Sequence, residues 1–282
     1  MKKLLILAMA TFALGIFIAS SYADWMGGQS THTSLAGEQK YPQSKERSSE
    51  YQASTIINSF VKNQKGEYLG RVMDLMIDAQ NREISFAVLS ASGVLGVPTK
   101  YVAVPFNAFT TSDEKNVYLL DMTREKLAEA PSFSRQQWPF MANREWEGGV
   151  YRYYGQNPPW GDANEPAGQT WENANTFYQI VGTPVKNEQG ETLGRMRDLV
   201  IDSQGHIHFA ILSHGGFWGI GGKLVPVPIT ALNFGGEGKA VVLNSTKAQL
   251  DSAPAFKASN LSDKNWAEEM YRYFGQQPFW TD

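Results

Sequence analysis

The sequence predicts a mainly β protein with α-helix, built as two tandem small β-barrels that are each followed by short helices. Three observations lead to this fold class: an internal duplication, short apolar segments at the start of each copy, and an amphipathic aromatic segment at its end. The 282 residues are 42% hydrophobic and 19% charged, which is a globular composition. A chain of this length has room for two ordinary domains.

The duplication is seen directly in the sequence. Residues 61–78 recur as residues 185–202 with 12 of 18 positions identical, and the offset changes only from 124 to 123 over the next two matching segments. Residues 146–160 then match residues 266–280 at 8 of 15 positions. A period near 120 residues indicates two domains rather than a solenoid.

Each copy begins with segments of strand character. Leu69 to Ile77 alternates imperfectly, Ile84 to Leu89 is a compact apolar run, and Tyr101 to Val104 is β-branched or aromatic. Asn81 and Gly205 lie where a hairpin turn needs residues that tolerate positive φ. Short strands and tight turns at this spacing predict a small closed or nearly closed β-structure.

Each copy ends in helices. Thr246 to Gln249 has capping-box spacing and starts a short helix that Pro254 stops, and Thr123 and Pro131 bracket its counterpart. One aromatic helical face per copy follows, ended by Gly155 or Gly275. These faces consist of Trp146, Val150, Tyr153 and Tyr154, and of Trp266, Met270, Tyr273 and Phe274.

The N-terminus predicts export to the periplasm or beyond. Lys2 and Lys3 precede the apolar run Leu4 to Ala19, and cleavage is expected after Ala23. An uncleaved run would instead tether the protein to the membrane. The expected organisation is a signal peptide (1–23), a flexible leader (24–52), a first domain with helical tail (53–160), a linker (161–175) and a second domain with helical tail (176–282).

Composition excludes several function classes. The 25 basic residues against 28 acidic ones give a net charge of −3, which argues against nucleic-acid binding. The chain has no Cys, which removes thiolate metal sites, iron–sulfur clusters and cysteine nucleophiles. No Gly-x-Ser-x-Gly elbow or recurring Ser/His/Asp set is present. We therefore expect no enzyme activity and no cofactor.

The duplicated segment resembles a known family. Gly-Glu-x-Leu-Gly-Arg-x-x-Asp-Leu-x-Ile-Asp at Gly66 and Gly190, an apolar strand, the Gly-rich loop Gly215 to Lys223 and Val-Pro-Val-Pro ending at Pro228 are similar to the PRC-barrel domain. The resemblance covers residues 53–121 and 176–244. It implies small β-barrels that bind other macromolecules, without a common set of catalytic residues.

Two groups of polar residues invite a metal interpretation. Asp74 with Asp78, and Asp198 with Asp202, are read as turn and strand-end residues, although Ca²⁺ is conceivable if the strand ends early. His206, His208 and His214 form the imidazole cluster, and we expect them to face solvent. His206 and His208 with Asp202 are the weak candidates for a metal site, which belongs to the second copy because the first has Glu83 and Ser85 there.

The glycines from Gly215 to Gly222 precede a strand, so a hairpin or bulge role is expected rather than phosphate binding. The aromatic tails have three interpretations: packing on their own barrels, a partner or glycan platform, or a junction between the barrels. The partner-binding candidates are Phe217, Trp218, Trp160, Trp280, Arg152 and Arg272.

The function predicted from the sequence is that of an exported, non-enzymatic binding or scaffold protein with a protein partner in the cell envelope. The alternatives are a metal-dependent envelope enzyme centred on the histidines of the second domain, and a membrane-tethered interaction protein. The sequence leaves the partner and the oligomeric state open.

Overall fold

The computed structural model describes residues 50–79, 81–91, 100–134, 144–158, 174–216, 222–234 and 241–278. The first repeat comprises β1 (Glu50–Gln52), β2 (Phe60–Lys62), β3 (Tyr68–Asp78), β4 (Glu83–Ala91), β5 (Lys100–Pro105), β6 (Phe109–Thr111), β7 (Val117–Leu120), α1 (Arg124–Ala128), β8 (Ser132–Phe133) and α2 (Arg144–Tyr153). The second repeat comprises β9 (Ala174–Thr176), α3 (Phe177–Ile180), β10 (Pro184–Lys186), β11 (Thr192–Asp202), β12 (Ile207–His214), β13 (Lys223–Pro228), β14 (Leu232–Phe234), β15 (Val241–Leu243), α4 (Lys247–Ser252) and α5 (Lys264–Tyr273).

The two repeats have the same order over six strands, and the first sheet adds β8 at its end. The first sheet runs β6-β7-β2-β3-β4-β5-β8, and the second runs β14-β15-β10-β11-β12-β13. The pairings along both paths are antiparallel except β2 with β7 and β10 with β15, which are parallel in both repeats. The prediction of a mainly β fold, repeated in tandem with short helices, is confirmed.

The long central strands carry β-bulges at equivalent places. The register of β3 against β4 shifts between Val72 and Asp74, and that of β11 against β12 shifts between Met196 and Asp198. A bulge inserts one residue and so moves the following side chains to the other face. This explains why the alternation of Leu69 to Ile77 in the sequence is imperfect.

The first strand of each repeat pairs with the sheet of the other repeat. β1 lies antiparallel to β11, with Glu50 opposite Asp202, and β9 lies antiparallel to β3, with Ala174 opposite Asp78. The described residues of both repeats accordingly belong to one compact unit. The expected leader (24–52) and linker (161–175) therefore end too late, because their last residues form strands that close the neighbouring sheet.

The main hydrophobic core continues through both repeats. One cluster of buried side chains includes Leu75 and Val104 of the first repeat and Leu199 and Val227 of the second. The opposite face of each sheet is covered by that repeat's own tail helix. Val150 and Tyr151 of α2 pack with Phe86 and Phe133, as shown by one of the smaller clusters. The equivalent cluster of the second repeat contains Val200, Phe209, Ile211, Phe256, Trp266, Ala267, Met270 and Tyr271.

The local turn and capping predictions are met in part. Gly205 has φ +96° as expected, but in the first repeat Arg82, not Asn81, takes the left-handed conformation, with φ +58°. Asn81 instead binds the carboxylate of Asp78 through its backbone and side-chain N–H groups at 3.0 and 2.6 Å. The side chain of Thr246 accepts from the Gln249 N–H at 3.1 Å, which caps α4 as predicted.

Candidate functional site

The structure describes two of the six predicted partner-binding residues. Arg152 and Arg272 are exposed in the last turns of α2 and α5. Phe217, Trp218, Trp160 and Trp280 lie outside the described residues. Of the predicted partner-binding surface, the structure therefore places the two arginines.

Most of the duplicated Tyr-Arg-Tyr-aromatic-Gly-Gln motif is structural. The hydroxyls of Tyr151 and Tyr271 donate to the carbonyls of Ser85 at 3.4 Å and His208 at 3.3 Å, which holds each tail helix on its own sheet. The Tyr273 hydroxyl donates to the Gln249 carbonyl at 2.7 Å. The Tyr153 hydroxyl makes the equivalent bond to Lys126. Of the three interpretations, packing of each tail on its own barrel is the one observed.

The end of the motif terminates the helix. Gly155 and Gly275 have φ of +69° and +67°, a conformation that favours glycine. The next residue, Gln156 or Gln276, donates its backbone N–H to the carbonyl of Tyr151 or Tyr271 at 2.9 or 2.8 Å. This bond spans five residues and closes a helix C-terminus of the Schellman type.

Arg152 and Arg272 stand apart from these structural contacts. In the described part of the chain, neither guanidinium forms a hydrogen bond or an ion pair. A shallow, open depression beside Arg272 is lined by Asn265, Glu269 and Tyr273. Alignment of the tails places Glu145 and Gly149 at the positions of Asn265 and Glu269 in the first repeat. Each tail thus presents an arginine at the C-terminal end of its helix, in surroundings that differ between the repeats.

A second polar cluster lies where β1 enters the second sheet. The side chain of His208 is 6% exposed, its Nδ1 lies 3.0 Å from Oε1 of Glu50, and its Nε2 lies 3.4 Å from Oδ2 of Asp202. His206 Nδ1 lies 2.9 Å from the same Asp202 oxygen. Asp202, His206 and His208 lie together, as the sequence indicated. Glu50 was not among the predicted residues, because a strand as short as β1 carries no signal for its pairing with β11.

Charge neutralisation accounts for the ionisation of this cluster. Burial opposes a charge on His208, but the hydrogen bonds and negative charges of Asp202 and Glu50 outweigh it and raise the pKa of His208 to about 9. Burial likewise opposes the charge on Asp202, yet the bonds from His208 and His206 lower its pKa overall. His208 is thus a buried imidazolium with each ring nitrogen facing a carboxylate, which leaves neither nitrogen a lone pair for a metal or a proton.

The expectation of solvent-facing histidines holds for His206 alone. His208 and His214 are 5% and 6% exposed. His214 Nε2 lies 2.9 Å from Oδ1 of Asp251, and its Nδ1 contacts the Leu193 carbonyl, which joins β11 to α4. Across the described ranges, no group of three or more His, Asp or Glu side chains is arranged to hold a metal ion.

The glycine-rich loop joins two antiparallel strands. His214 pairs with Lys223 at the ends of β12 and β13, and a Cβ on Gly222 would lie 2.8 Å from the Gly215 carbonyl oxygen. Gly215 has φ +70°. The flanking strands pair as the predicted hairpin requires, and residues 217–221 of the loop lie outside the described residues.

Asp74 and Asp198 do not have the expected turn role. Both are buried at the bulges of β3 and β11. Asp198 accepts from the Ser54 N–H at 3.0 Å, the Ser54 hydroxyl at 2.5 Å and the Gln52 side chain at 2.8 Å. Each carboxylate thereby holds the segment that enters from the other repeat, Ser54 for Asp198 and Tyr178 for Asp74. Asp78 and Asp202, in contrast, bind turn residues as predicted.

The buried Asp74 carboxyl, which binds the segment entering from the second repeat, makes the stability of the fold depend on pH. Burial raises the pKa of Asp74 from 3.8 to about 6, although hydrogen bonds from Leu75, Thr176 and Tyr178 oppose this shift. Between about pH 4 and 6 the Asp74 carboxyl is protonated in the folded protein but ionised in the unfolded chain. Its contribution to stability is therefore complete below about pH 4 and is lost as the pH rises through about 6. We expect the free energy of unfolding of wild type relative to Asp74→Asn to fall by up to about 3 kcal/mol over this range.

Urea denaturation of the wild-type protein and Asp74→Asn at several pH values from 3.5 to 7 measures this effect. The difference between the two proteins isolates Asp74 from other titrating groups. Parallel stability curves over the whole range would contradict the assignment.

The fold and the site define a duplicated small-barrel protein whose repeats exchange their first strands and whose helical tails present exposed arginines. The PRC-barrel domain family model matches residues 48–127 and 172–250. These two regions cover more than half of the chain, which belongs to the PRC-barrel family and contains the domain twice. No match was found among curated proteins. None of the helices in the described ranges is long and apolar enough to cross a membrane.

Proposed function

We propose that this protein is an exported, non-enzymatic binding or scaffold protein whose tandem PRC-barrel domains contact a protein partner in the cell envelope. PRC-barrel domains suggest a role in protein interaction. Export is supported by Lys2 and Lys3, the apolar run that follows them, and the small residue Ala23. A non-catalytic role is supported by His208, because the carboxylates beside both ring nitrogens raise its pKa to about 9. At neutral pH both nitrogens then carry a proton, and neither can act as a base.

The single observation that carries the proposal is the exposed arginine that recurs in both tails. In each copy, the two tyrosines, the glycine and the glutamine of the motif have contacts that build the tail. Arg152 and Arg272 recur without such a contact in the described residues, while the helix positions around them differ between the copies. An arginine also favours a helix C-terminus, by roughly 0.3–1 kcal/mol, so its role in binding needs a separate test.

We expect a photo-crosslinking residue introduced beside Arg152 or Arg272 in cells to capture a discrete partner. Arg152→Ala with Arg272→Ala should reduce that crosslink at least roughly tenfold, because interface arginines are enriched among residues that dominate binding energy. Lys264→Ala is the matched control, since Lys264 is an exposed cation at the other end of α5. The control should leave the crosslink and the melting temperature unchanged.

A crosslink that survives the double arginine variant would remove these residues from the proposed interface. N-terminal sequencing of the protein recovered from the envelope tests export separately. A mature chain that begins at Asp24 supports cleavage, whereas a chain that retains Met1 favours the membrane-tethered alternative.

A further inference from the structure

The two strand crossings have equivalent backbones but different side chains. Glu50 of β1 faces Asp202, and the equivalent residue of β9, Ala174, faces Asp78. The buried His208 of the second repeat corresponds to Ser85 of the first, because their carbonyls accept the equivalent tyrosine hydroxyls. The crossing into the second repeat thus has a Glu–His–Asp arrangement, which we call the pairing triad, and the first has Ala, Ser and Asp.

The pairing triad places complementary charges in a site of low exposure. The imidazolium of His208 contacts Glu50 from β1 and Asp202 from β11, so it joins the entering strand to the strand that receives it. The side chains of Glu50 and Asp202 are 12% and 19% exposed. Charges in such a site favour the arrangement that pairs them and penalise any arrangement that does not.

The alternative pairing of β1 with its own sheet lacks this complementarity. By the equivalence of the repeats, Glu50 would then face Asp78 and Ser85, with Glu83 close by. Asp78 and Glu83 already interact unfavourably, because the charge of Asp78 adds to burial in raising the pKa of Glu83. A third carboxylate at this position, without the histidine, would be buried among like charges.

We propose that Glu50, His208 and Asp202 form a pairing code that directs the first strand of the chain into the second barrel and rejects its own barrel. The equivalent registers at the two crossings would allow β1 to pair either with the second barrel or with its own, and the code favours the second barrel. The backbone hydrogen bonds at the two crossings are equivalent and cannot make this choice. The selectivity resides in side chains that differ between the repeats, which is a recognised use of buried ionic groups.

The code is tested by moving it to the other crossing. In the full mature chain, Glu50→Ala with Ala174→Glu places the carboxylate on β9 while the histidine stays in the second barrel. β9 then matches its own barrel, and β1, now with Ala at position 50, matches the first barrel, so we expect each strand to pair with its own barrel and the exchange within the chain to be lost. Adding His208→Ser and Ser85→His rebuilds the whole triad around Asp78, and this four-substitution variant should restore the exchange.

The exchange is measured by a cysteine pair, Tyr51→Cys with Ile201→Cys, introduced into each variant and refolded from urea under oxidising conditions. These two positions lie opposite each other on β1 and β11, and the chain has no other Cys, so an intramolecular disulfide forms only when β1 pairs with the second barrel. The exposed Glu188→Ala is the matched control and should behave as wild type. A two-substitution variant that still forms the disulfide between positions 51 and 201 as fully as the wild-type background would overturn the proposal, as would a four-substitution variant that does not recover it.

Discussion

Replacing Asp198 with alanine is expected to lower the free energy of unfolding by about 2 to 5 kcal/mol, because it removes a buried carboxylate that accepts hydrogen bonds from both repeats. The carboxylate accepts from the N–H and hydroxyl of Ser54, the Gln52 side chain and the Leu199 N–H. Without it Gln52 and Ser54 lose their bonds to β11, although β1 still pairs with that strand. Urea denaturation followed by circular dichroism measures the change.

Two variants test the cause of this loss. Asp198→Asn keeps one acceptor oxygen and removes a charge that burial disfavours, as shown by the raised pKa of Asp198. It should therefore cost clearly less than the alanine substitution. Asp121→Ala, on an exposed aspartate, should change stability by no more than about 0.5 kcal/mol. Equal losses for Asp198→Asn and Asp198→Ala would show that the charge, not the set of hydrogen bonds, supports the crossing.

Gly205→Ala is expected to be the other strongly destabilising substitution, because this turn of the second repeat packs against the first. Gly205 has φ +96°, and a Cβ there would lie 2.8 Å from Cδ1 of the buried Phe106 and 3.0 Å from the Ile84 carbonyl oxygen. Left-handed strain costs about 1–2 kcal/mol, and overpacking adds about 1–3 kcal/mol. The total should appear in the free energy of unfolding measured with urea.

Gly190→Ala separates the two contributions. Gly190 has φ +83°, but a Cβ there meets nothing within 4 Å. Gly190→Ala should therefore lower the free energy of unfolding through backbone strain alone. The additional loss of free energy in Gly205→Ala then measures the steric clash between the repeats. If both alanines cost the same, the approach of Gly205 to Phe106 is looser than described.

Most of the fold was predictable from the duplication, because each strand is seen in two imperfect copies and both copies give the same assignment. Strand exchange was not predictable in this way. Glu50 to Gln52 and Ala174 to Thr176 are too short for a hydrophobic period to specify which sheet receives them. A local signal was present at Thr176, whose side chain and Gln179 form a complete capping box that begins α3 directly after β9. That signal shows that structure begins at the end of the expected linker.

The residues of the candidate site could be predicted from the sequence, but their burial and their contacts could not. The aromatic face of each tail was identified from its spacing, but periodicity alone does not tell whether the rings cover a sheet or face a partner. Tyr151 and Tyr271 settle the question through their bonds to strand carbonyls. The burial of His208 escaped prediction for another reason: its partner Glu50 lies 158 residues away in sequence, on a strand with no pairing signal.

The crossing of the first strands affects how the protein is made. During synthesis, the edge of β3 near Ile77 has no partner until β9 emerges about 100 residues later, roughly 5 to 20 s at ordinary elongation rates. Throughout this interval the nascent first barrel presents an open backbone edge that neighbouring chains are able to join. The first repeat, although it is translated first, is therefore completed only when the second begins to fold.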